Sequence, residues 1–213
     1  MEGDVPYRWA KRLLDKGLTI LLLVLLAPFF AVAAGAIGLG MARRSADRGP
    51  WLYREPRISR GRTFELLKFR TLRRDVLVGA GDAEAHARLL EADPENLTWA
   101  GRRVLKPWYL DELPQLLNVL RGDMSLVGPR PWPPSMVERQ VADGHGYRLR
   151  IVAGWTGPVQ VQKGLAEPEA YTQLDLAYVE ACRNWSAPRL LRHDLDILWR
   201  TVKVLARGEG LEY

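Results

Sequence analysis

The sequence contains little of what disulfide-bonded or zinc-binding proteins need. Cys182 is the only cysteine among 213 residues, so no disulfide can form within the chain. His86, His145 and His193 lie far apart, and no cysteine–histidine pair has the spacing of zinc ligands. These absences favour a reducing, cytosolic setting. They also indicate that any bound metal is a hard cation held by carboxylates.

Signatures of nucleic-acid recognition are missing as well. Lys and Arg outnumber Asp and Glu by 31 to 25, a balance that suits nucleic acid, an anionic membrane surface or phosphorylated substrates. The basic residues alternate with acidic ones, and the sequence has no recognition-helix or RNA-binding motif. Nucleic acid is therefore not an expected partner. A membrane-tethered binding module without chemistry stays open as a class of protein.

Residues 17–42 carry no charge, and basic residues flank them on both sides. As one helix, at ~1.5 Å per residue, this stretch would extend ~39 Å, against a hydrocarbon core of ~30 Å. Pro28 lies near its middle, where a proline costs a helix about 3 kcal/mol. Because Lys and Arg prefer the cytoplasmic side, both flanks should lie there. The pattern predicts a re-entrant segment that enters the lipid bilayer, breaks at Ala27 and Pro28, and returns to the same face.

Two other interpretations of this segment are less favoured. A helix kinked at Pro28 would still span the bilayer, since proline-kinked spanning helices are common. A cleaved signal peptide would end near residues 31–33. The apolar run continues past that site, however, and Glu2, Asp4 and Asp15 dilute the leading positive charge.

Hydrophobic periodicity and turn residues predict a mainly α fold with a small β component. We expect residues 1–48 to form the membrane anchor with its flanks and residues 49–213 to form a polar domain on the cytoplasmic side. Extended segments are predicted at 49–54, 62–70 and 148–162. Helices are predicted at 82–92, from Glu112, from Pro133-Pro134 through Met136 and Val141, at 167–184 and at 188–207. The last helix is amphipathic and basic at its edges, which is typical of a core helix or of one in the membrane interface.

The helix predicted from Glu112 begins at two adjacent carboxylates, Asp111 and Glu112. Leucines at positions 110, 113, 116, 117 and 120 recur at helical spacing, and Pro114 suits the first turn of a helix. Asp111 would then lie near the helix N-terminus, which favours an ionised carboxylate or a bound anion. On this local pattern, a helix cap and a reactive carboxylate are equally good interpretations of Asp111.

Further motifs follow one another along nearly the whole chain. They are Lys11-Arg12-x-x-Asp15, Pro28, Gly49-Pro50, Lys68-Phe69-Arg70-Thr71 with Asp75, Leu110-Asp111-Glu112-Leu113-Pro114-Gln115, Asn118-Val119-Leu120-x-Gly122-Asp123-Met124-Ser125, Val127-Gly128-Pro129-Arg130-Pro131, Gly154-x-Thr156-Gly157 and Gln160-Val161. In this set and order, the chain resembles the monotopic phosphoglycosyl transferases, also called bacterial sugar transferases. The resemblance implies transfer of a sugar 1-phosphate from a nucleotide sugar, such as a UDP sugar, to polyprenyl phosphate. This step would occur at the cytoplasmic face of the bacterial inner membrane and begin the membrane phase of glycan assembly.

The resemblance also implies roles for the two carboxylates. Asp111 matches the family's nucleophile, which forms a covalent aspartyl phosphosugar, and Glu112 matches its partner, which is expected to bind Mg²⁺. A free aspartate is already ionised at neutral pH, so this nucleophile needs no general base. The cationic side chains that suit a substrate phosphate are Arg130, Lys68, Arg70 and Arg148. A phosphohydrolase that uses the same Asp and Mg²⁺ is the enzymatic alternative.

The chain departs from the family pattern near these carboxylates. Trp108 and Tyr109 replace the small polar pair that usually precedes the Leu-Asp-Glu, and the spacing from Gly101 to Asp111 is one residue longer than usual. Ala27 stands where a serine often precedes the proline of the anchor. No reacting group is lost, but the sugar, the nucleobase and the glycan pathway are left open. A homodimer also stays open, because one sequence does not fix the oligomeric state.

Overall fold

The computed structural model describes residues 3–79, 87–162 and 168–208, and it is mainly helical with a small sheet component, as predicted. The helices are α1 (Trp9–Leu25), α2 (Ala27–Arg43), α3 (Arg74–Gly79), α4 (Ala87–Glu91), α5 (Gln115–Arg121), α6 (Pro134–Ala142), α7 (Pro158–Val161), α8 (Pro168–Asn184) and α9 (Ala187–Ala206). The strands are β1 (Leu52–Ser59), β2 (Arg62–Phe69), β3 (Ser125–Val127) and β4 (Gly154–Thr156). Single turns of 3-10 helix occur at Ser45–Asp47, Pro94–Asn96, Leu110–Glu112 and Tyr147–Leu149, and a π-helical turn at Gly101–Leu105.

The chain forms two compact units, and each draws on residues from both sides of position 48. The C-terminal unit contains Met1–Ile20, Arg57–Phe64 and Asn118–Tyr213. The central unit contains Leu21–Pro56 and Glu65–Leu117. The division into an anchor at 1–48 and a catalytic domain at 49–213 rests on hydropathy, charge and the family resemblance, and it stays a prediction.

A short parallel strand pair lies at the core of the C-terminal unit. β3 and β4 pair with Ser125 opposite Gly154, and α9 packs on both strands. Leu190, Ile197 and Val204 on α9 are buried and form the inner part of its apolar stripe. The helices predicted at 167–184 and 188–207 are confirmed as α8 and α9, with residue 167 outside the described residues.

The extended segment predicted at 148–162 is wrong for most of its length. Only β4 is a strand, because Pro158 starts helix α7 and Tyr147–Leu149 forms a 3-10 turn. Periodicity alone does not separate a short buried strand from a short buried helix. The helix from Pro134 is confirmed as α6. Of the helix predicted at 82–92, the described part is α4, and residues 82–86 lie outside the described residues.

Glycines bring β4 against the loop that follows β3. A Cβ atom on Gly154 would overlap the backbone of Gly128, and one on Gly157 would overlap the carbonyl oxygen of Gly128. Only glycine permits so close an approach of two backbones. The two glycine motifs of the sequence therefore meet here, and their contact fixes the path of the Pro129-Arg130-Pro131 loop.

Strands β1 and β2 form a hairpin around the turn predicted at residues 59–61. The extended segment predicted at 62–70 is confirmed as β2, whereas the one predicted at 49–54 covers only the start of β1, which continues to Ser59. The turn consists of Arg60 and Gly61, with φ angles of 48° and 72°. Positive φ at both positions matches the twist that a tight hairpin turn requires.

Buried charges hold the first half of α1 in the C-terminal unit. The Nζ atom of Lys11 lies 2.7 Å from Asp194 and 3.8 Å from Asp15, and all three residues are buried. Asp15 also accepts hydrogen bonds from the hydroxyls of Ser125 and Tyr7, each at 2.7 Å. Such a network fixes one register of the helix, because moving any member leaves a buried charge without its partner.

Helices α1 and α2 meet at a bend of 58°. Within the described residues, no single helix is long and apolar enough to cross a membrane, although α1 and α2 together pass by length and composition. The break falls at Leu26, and Pro28 lies in the first turn of α2, where its missing N–H is no loss. The membrane roles of Ala27 and Pro28 stay predictions.

One face of α2 packs on the core of the central unit. Ala33, Ala36 and Ile37 are buried in a hydrophobic cluster with Leu110 and Leu113. The large apolar side chains that α2 leaves exposed are Phe29, Val32 and Leu39. The helix that the sequence assigns to the membrane therefore rests directly on the turn that carries Asp111 and Glu112.

Candidate active site

The backbone before the two carboxylates has an unusual course. The N–H of Lys106 donates to the carbonyl oxygen of Gly101 at 3.0 Å, five residues back, as in a π-helical turn. A Cβ atom on Gly101 would lie 2.6 Å from the carbonyl oxygen of Thr71, so glycine is required at this position. Tyr109 then adopts the left-handed conformation, with φ of 54°. A bulky residue at positive φ is rare, and such strain is concentrated at functional sites.

Asp111 lies in a 3-10 turn, not in the helix that follows. Residues Leu110–Glu112 form this turn, and α5 begins only at Gln115. The predicted start of the helix at Glu112 is therefore wrong by three residues. Pro114 separates the two elements because it has no N–H to continue the hydrogen bonding of the turn.

A chain of charged and polar contacts leads to Asp111. Its Oδ2 lies 3.3 Å from the Nζ atom of Lys106, and the same Nζ lies 2.6 Å from Glu91. The other oxygen of Glu91 accepts a hydrogen bond from Thr71 at 2.5 Å. Lys106 is thus shared by two carboxylates, and Glu91 orients it. Sequence reasoning missed Glu91, which lies 20 positions before Asp111 and carries no motif of its own.

The environment of Asp111 raises its pKa to about 6. Burial is the largest cause, since only 3% of the residue is exposed. Lys106 and Lys68 lower the pKa, whereas the neighbouring charges of Glu112 and Glu91 raise it. At pH 7, above this pKa, the carboxylate form still predominates, and burial leaves it poorly hydrated.

Lys68 lies near the end of β2 and Arg70 directly follows that strand, and the two side chains have different surroundings. Lys68 is half-buried, with Nζ 3.4 Å from Glu55, and its charge acts on Asp111. The guanidinium of Arg70 is buried and donates to the carbonyl oxygens of Pro50, Leu72 and Asp47. This arrangement favours a structural role for Arg70, and its contact with a substrate phosphate stays a prediction.

Arg130 and Arg148 belong to the C-terminal unit. Arg148 is buried, donates to the carbonyl oxygen of Arg130 at 2.6 Å and pairs with Asp175 at 2.7 Å. Its guanidinium also stacks 4.0 Å from the ring centre of Trp132. Arg148 therefore holds the backbone of the loop that carries Arg130, while the Arg130 side chain is only half-buried. Sequence reasoning missed Asp175, which lies 27 positions after Arg148 and carries no motif of its own.

Trp108 and Tyr109, which replace the small polar pair of the family, directly precede the turn that carries the two carboxylates. Trp108 is 67% exposed and directly precedes the strained Tyr109. An exposed tryptophan offers a flat apolar surface for a ring or for the edge of a membrane. The small polar pair of the family offers neither.

Asp111 and Glu112 fit the expected Mg²⁺ if the protein supplies only some of its ligands and the substrate and water supply the others. The described residues contain no group of three or more His, Cys, Asp or Glu side chains that would hold a metal by itself. Mg²⁺, however, is often held by one or two carboxylates together with substrate phosphates and water. Asp111 and Glu112 supply two adjacent buried carboxylates whose repulsion raises the pKa of Asp111, and a divalent cation would relieve that repulsion.

Comparison with known proteins places the chain in a family. The sequence model of the family described as bacterial sugar transferase matches residues 6–208, and the chain belongs to that family. The UDP-glucose:undecaprenyl-phosphate glucose-1-phosphate transferase of Caulobacter vibrioides is 38% identical over 92% of this chain and 69% of that protein. The exopolysaccharide production protein ExoY of Sinorhizobium fredii is 35% identical over 94% of this chain and 87% of its own.

Some relatives are much longer than this chain. The undecaprenyl-phosphate galactose phosphotransferase of Salmonella typhimurium is 35% identical over 95% of the chain, which spans only 42% of that protein. Membership of the family therefore concerns the region that this chain shares with the longer proteins.

Proposed function

We propose that the protein transfers a sugar 1-phosphate from a nucleoside diphosphate sugar, such as a UDP sugar, to polyprenyl phosphate. The observation that carries this proposal is the buried Asp111 carboxylate beside Lys106, on a turn packed against apolar helix α2. Relatives named for undecaprenyl-phosphate glucose and galactose phosphotransfer support both substrate classes.

The first step is attack by a carboxylate oxygen of Asp111 on the β-phosphorus of the donor. The new bond joins this oxygen to phosphorus, and the bond from phosphorus to the bridging oxygen breaks. The nucleoside monophosphate leaves with that oxygen and its electron pair. The product on the protein is an aspartyl phosphosugar, which no longer carries the charge of the free carboxylate.

The second step returns Asp111 to its starting state. A phosphate oxygen of the polyprenyl phosphate attacks the same phosphorus, and the bond to the Asp111 oxygen breaks. The products are a polyprenyl diphosphate sugar and the free carboxylate. Splitting the transfer in this way lets the nucleoside monophosphate leave before the lipid acceptor reacts, while the sugar phosphate stays on Asp111.

Cationic groups near Asp111 stabilise the charge that develops on phosphate. Lys106 and Lys68 supply ammonium groups in a mostly buried setting, where a charge acts more strongly than in water. A Mg²⁺ held by Glu112 and Asp111 would neutralise phosphate charge and polarise the phosphorus. Arg130 is a further candidate for the substrate phosphates, because its backbone is fixed by Arg148 while its side chain stays half-buried.

The charge pattern and the contact of α2 with the carboxylate turn support the membrane placement that we propose. With both basic flanks on the cytoplasmic side, α1 and α2 would dip into the inner membrane and return, a monotopic arrangement. The turn that carries Asp111 would then lie at the interface, because it packs on α2. A water-soluble donor and a lipid acceptor both reach that position.

Release of UMP from UDP-glucose and UDP-galactose tests the proposed reaction. The full chain in detergent, with Mg²⁺ and short-chain polyprenyl phosphate, should release UMP in continuous turnover only when acceptor is present. Acceptor-independent turnover would identify a phosphohydrolase, and no release with any nucleotide sugar would favour a binding module. Asp196→Asn, at an exposed aspartate of α9, serves as the control and should retain full turnover.

A further inference from the structure

A cleft of about 670 Å³ lies in the C-terminal unit, and none of its lining residues carries the proposed chemistry. It is formed by the start of α1, the turn of the β1–β2 hairpin and the end of α5. We call it the basic cleft. The charged side chains that line it are the cations Arg12, Lys16, Arg60, Arg62 and Arg121 and the carboxylates Asp4 and Asp123.

Both carboxylates of the basic cleft already have partners. Asp4 pairs with Arg60 at 3.1 Å, and Asp123 accepts a hydrogen bond from Asn118 at 2.9 Å. Arg12 is also engaged, because it donates to the carbonyl oxygen of Tyr7 at 3.0 Å.

The remaining three cations are available to a ligand. The side chains of Lys16, Arg62 and Arg121 are exposed and make no hydrogen bond or ion pair within the described parts of the chain. Like charges gathered around one cleft repel one another, and a bound anion relieves that repulsion. Two guanidinium groups and an ammonium suit a phosphate group, whose oxygens accept several hydrogen bonds at once.

The source of the phosphate is indicated by the helix that carries Lys16. In the same unit, α1 exposes the large apolar side chains of Trp9, Leu13 and Ile20. A helix with exposed apolar groups beside clustered cations is typical of contact with an anionic membrane surface. We propose that the basic cleft binds the phosphate of an anionic phospholipid headgroup, a function separate from sugar-phosphate transfer.

Binding of short-chain phosphatidylglycerol to the full chain in zwitterionic detergent tests this proposal. Wild type should bind it saturably, and at least tenfold more tightly than short-chain phosphatidylcholine. The double variant Arg62→Gln/Arg121→Gln should lose at least tenfold in affinity for phosphatidylglycerol. Lys16→Gln should lose less affinity for phosphatidylglycerol than the double variant does. An unchanged thermal unfolding temperature in phosphatidylcholine would show that these variants remain folded.

A matched control separates a site from general attraction to negative charge. Arg192→Gln/Arg207→Gln removes two exposed arginines of the same unit outside the basic cleft and should stay within twofold of wild type. Equal losses in both double variants would overturn the proposal, because any surface arginine would then serve. Displacement of the lipid by an equal concentration of inorganic phosphate would also overturn it, since the cleft would then bind a free anion.

Discussion

Each unit buries an aspartate beside a lysine, but the two pairs differ in how fully the charges are matched. In the C-terminal unit, Asp194 lies 2.7 Å from Lys11 and accepts a hydrogen bond from Tyr178 at 2.7 Å. In the central unit, Asp111 lies 3.3 Å from Lys106, which is closer to Glu91. Close pairing holds a helix in place, whereas looser pairing leaves a carboxylate oxygen available for chemistry.

The largest expected effect on stability comes from breaking the matched pair. Asp194→Ala removes the closest partner of the buried Lys11, and loss of one member of a buried ion pair costs about 3–5 kcal/mol. Asp196→Ala, two residues along and exposed, should change stability by less than about 0.5 kcal/mol. Chemical denaturation of both variants in detergent measures the difference. Equal small losses would show that Lys11 and Asp15 suffice without Asp194.

Glu112→Gln tests the second carboxylate through the rate of turnover. The change keeps the nucleophile but weakens the proposed Mg²⁺ site, so the rate should fall by about 10³, or about 4 kcal/mol of barrier. The Mg²⁺ concentration for half-maximal turnover should rise as well. Glu95→Gln, at an exposed position, is the control. A normal Mg²⁺ dependence in the Glu112 variant would remove Glu112 from the metal site.

Asp111→Asn should stabilise the folded protein at neutral pH. Because the folded pKa of about 6 exceeds the ordinary value of 3.8, the folded state binds more protons than the unfolded state between these values. Wild-type stability therefore falls as the pH rises through this window, and the loss is complete above about pH 6. The variant avoids this loss. Its free energy of unfolding should therefore exceed that of wild type by an amount on the order of 2–3 kcal/mol at pH 8 and close to zero below pH 4. Unfolding curves at both pH values measure it, and a variant less stable at pH 8 would contradict the raised pKa.

Pro28→Ala should have the smallest effect on stability and a partial effect on topology. Without the ~3 kcal/mol obstacle, α1 and α2 gain the option of joining into one helix long enough to cross. The flanking arginines resist translocation, so a mixed population is expected. Cysteines introduced at both chain ends report the topology with an impermeant reagent, with little background because Cys182 is buried. In wild type both ends should be protected from outside, and no change in the variant would assign the break to other residues.

Local signals in the sequence predicted the parts of the fold that local interactions determine. The hairpin at Arg60 and Gly61 and the amphipathic helices α8 and α9 are examples. The partners of buried charges were not predictable in this way. Asp194 lies 183 positions from Lys11, and neither residue carries a signal that names the other.

In the candidate active site, local signals also failed to predict part of the backbone conformation. Asp111 and Glu112 were evident from their motif, but the predicted helix start is wrong because Leu110–Glu112 forms a separate 3-10 turn and Pro114 keeps α5 from beginning before Gln115. The π-helical turn at Gly101–Leu105 offers a physical account of the extra residue before Asp111. A π turn holds about one residue more than an α turn, so it absorbs an insertion without moving the helix ends far.

Trapping the aspartyl phosphosugar tests the central claim most directly. Wild-type protein incubated with Mg²⁺ and a sugar-labelled UDP sugar, without acceptor, should release one UMP per active site and retain the label. Hydroxylamine should remove that label, because an acyl phosphate is the bond that holds it. Asp111→Asn should show neither the burst of UMP nor the label, while remaining folded. Near-normal turnover by this variant would contradict the account and make direct attack by the lipid phosphate the mechanism.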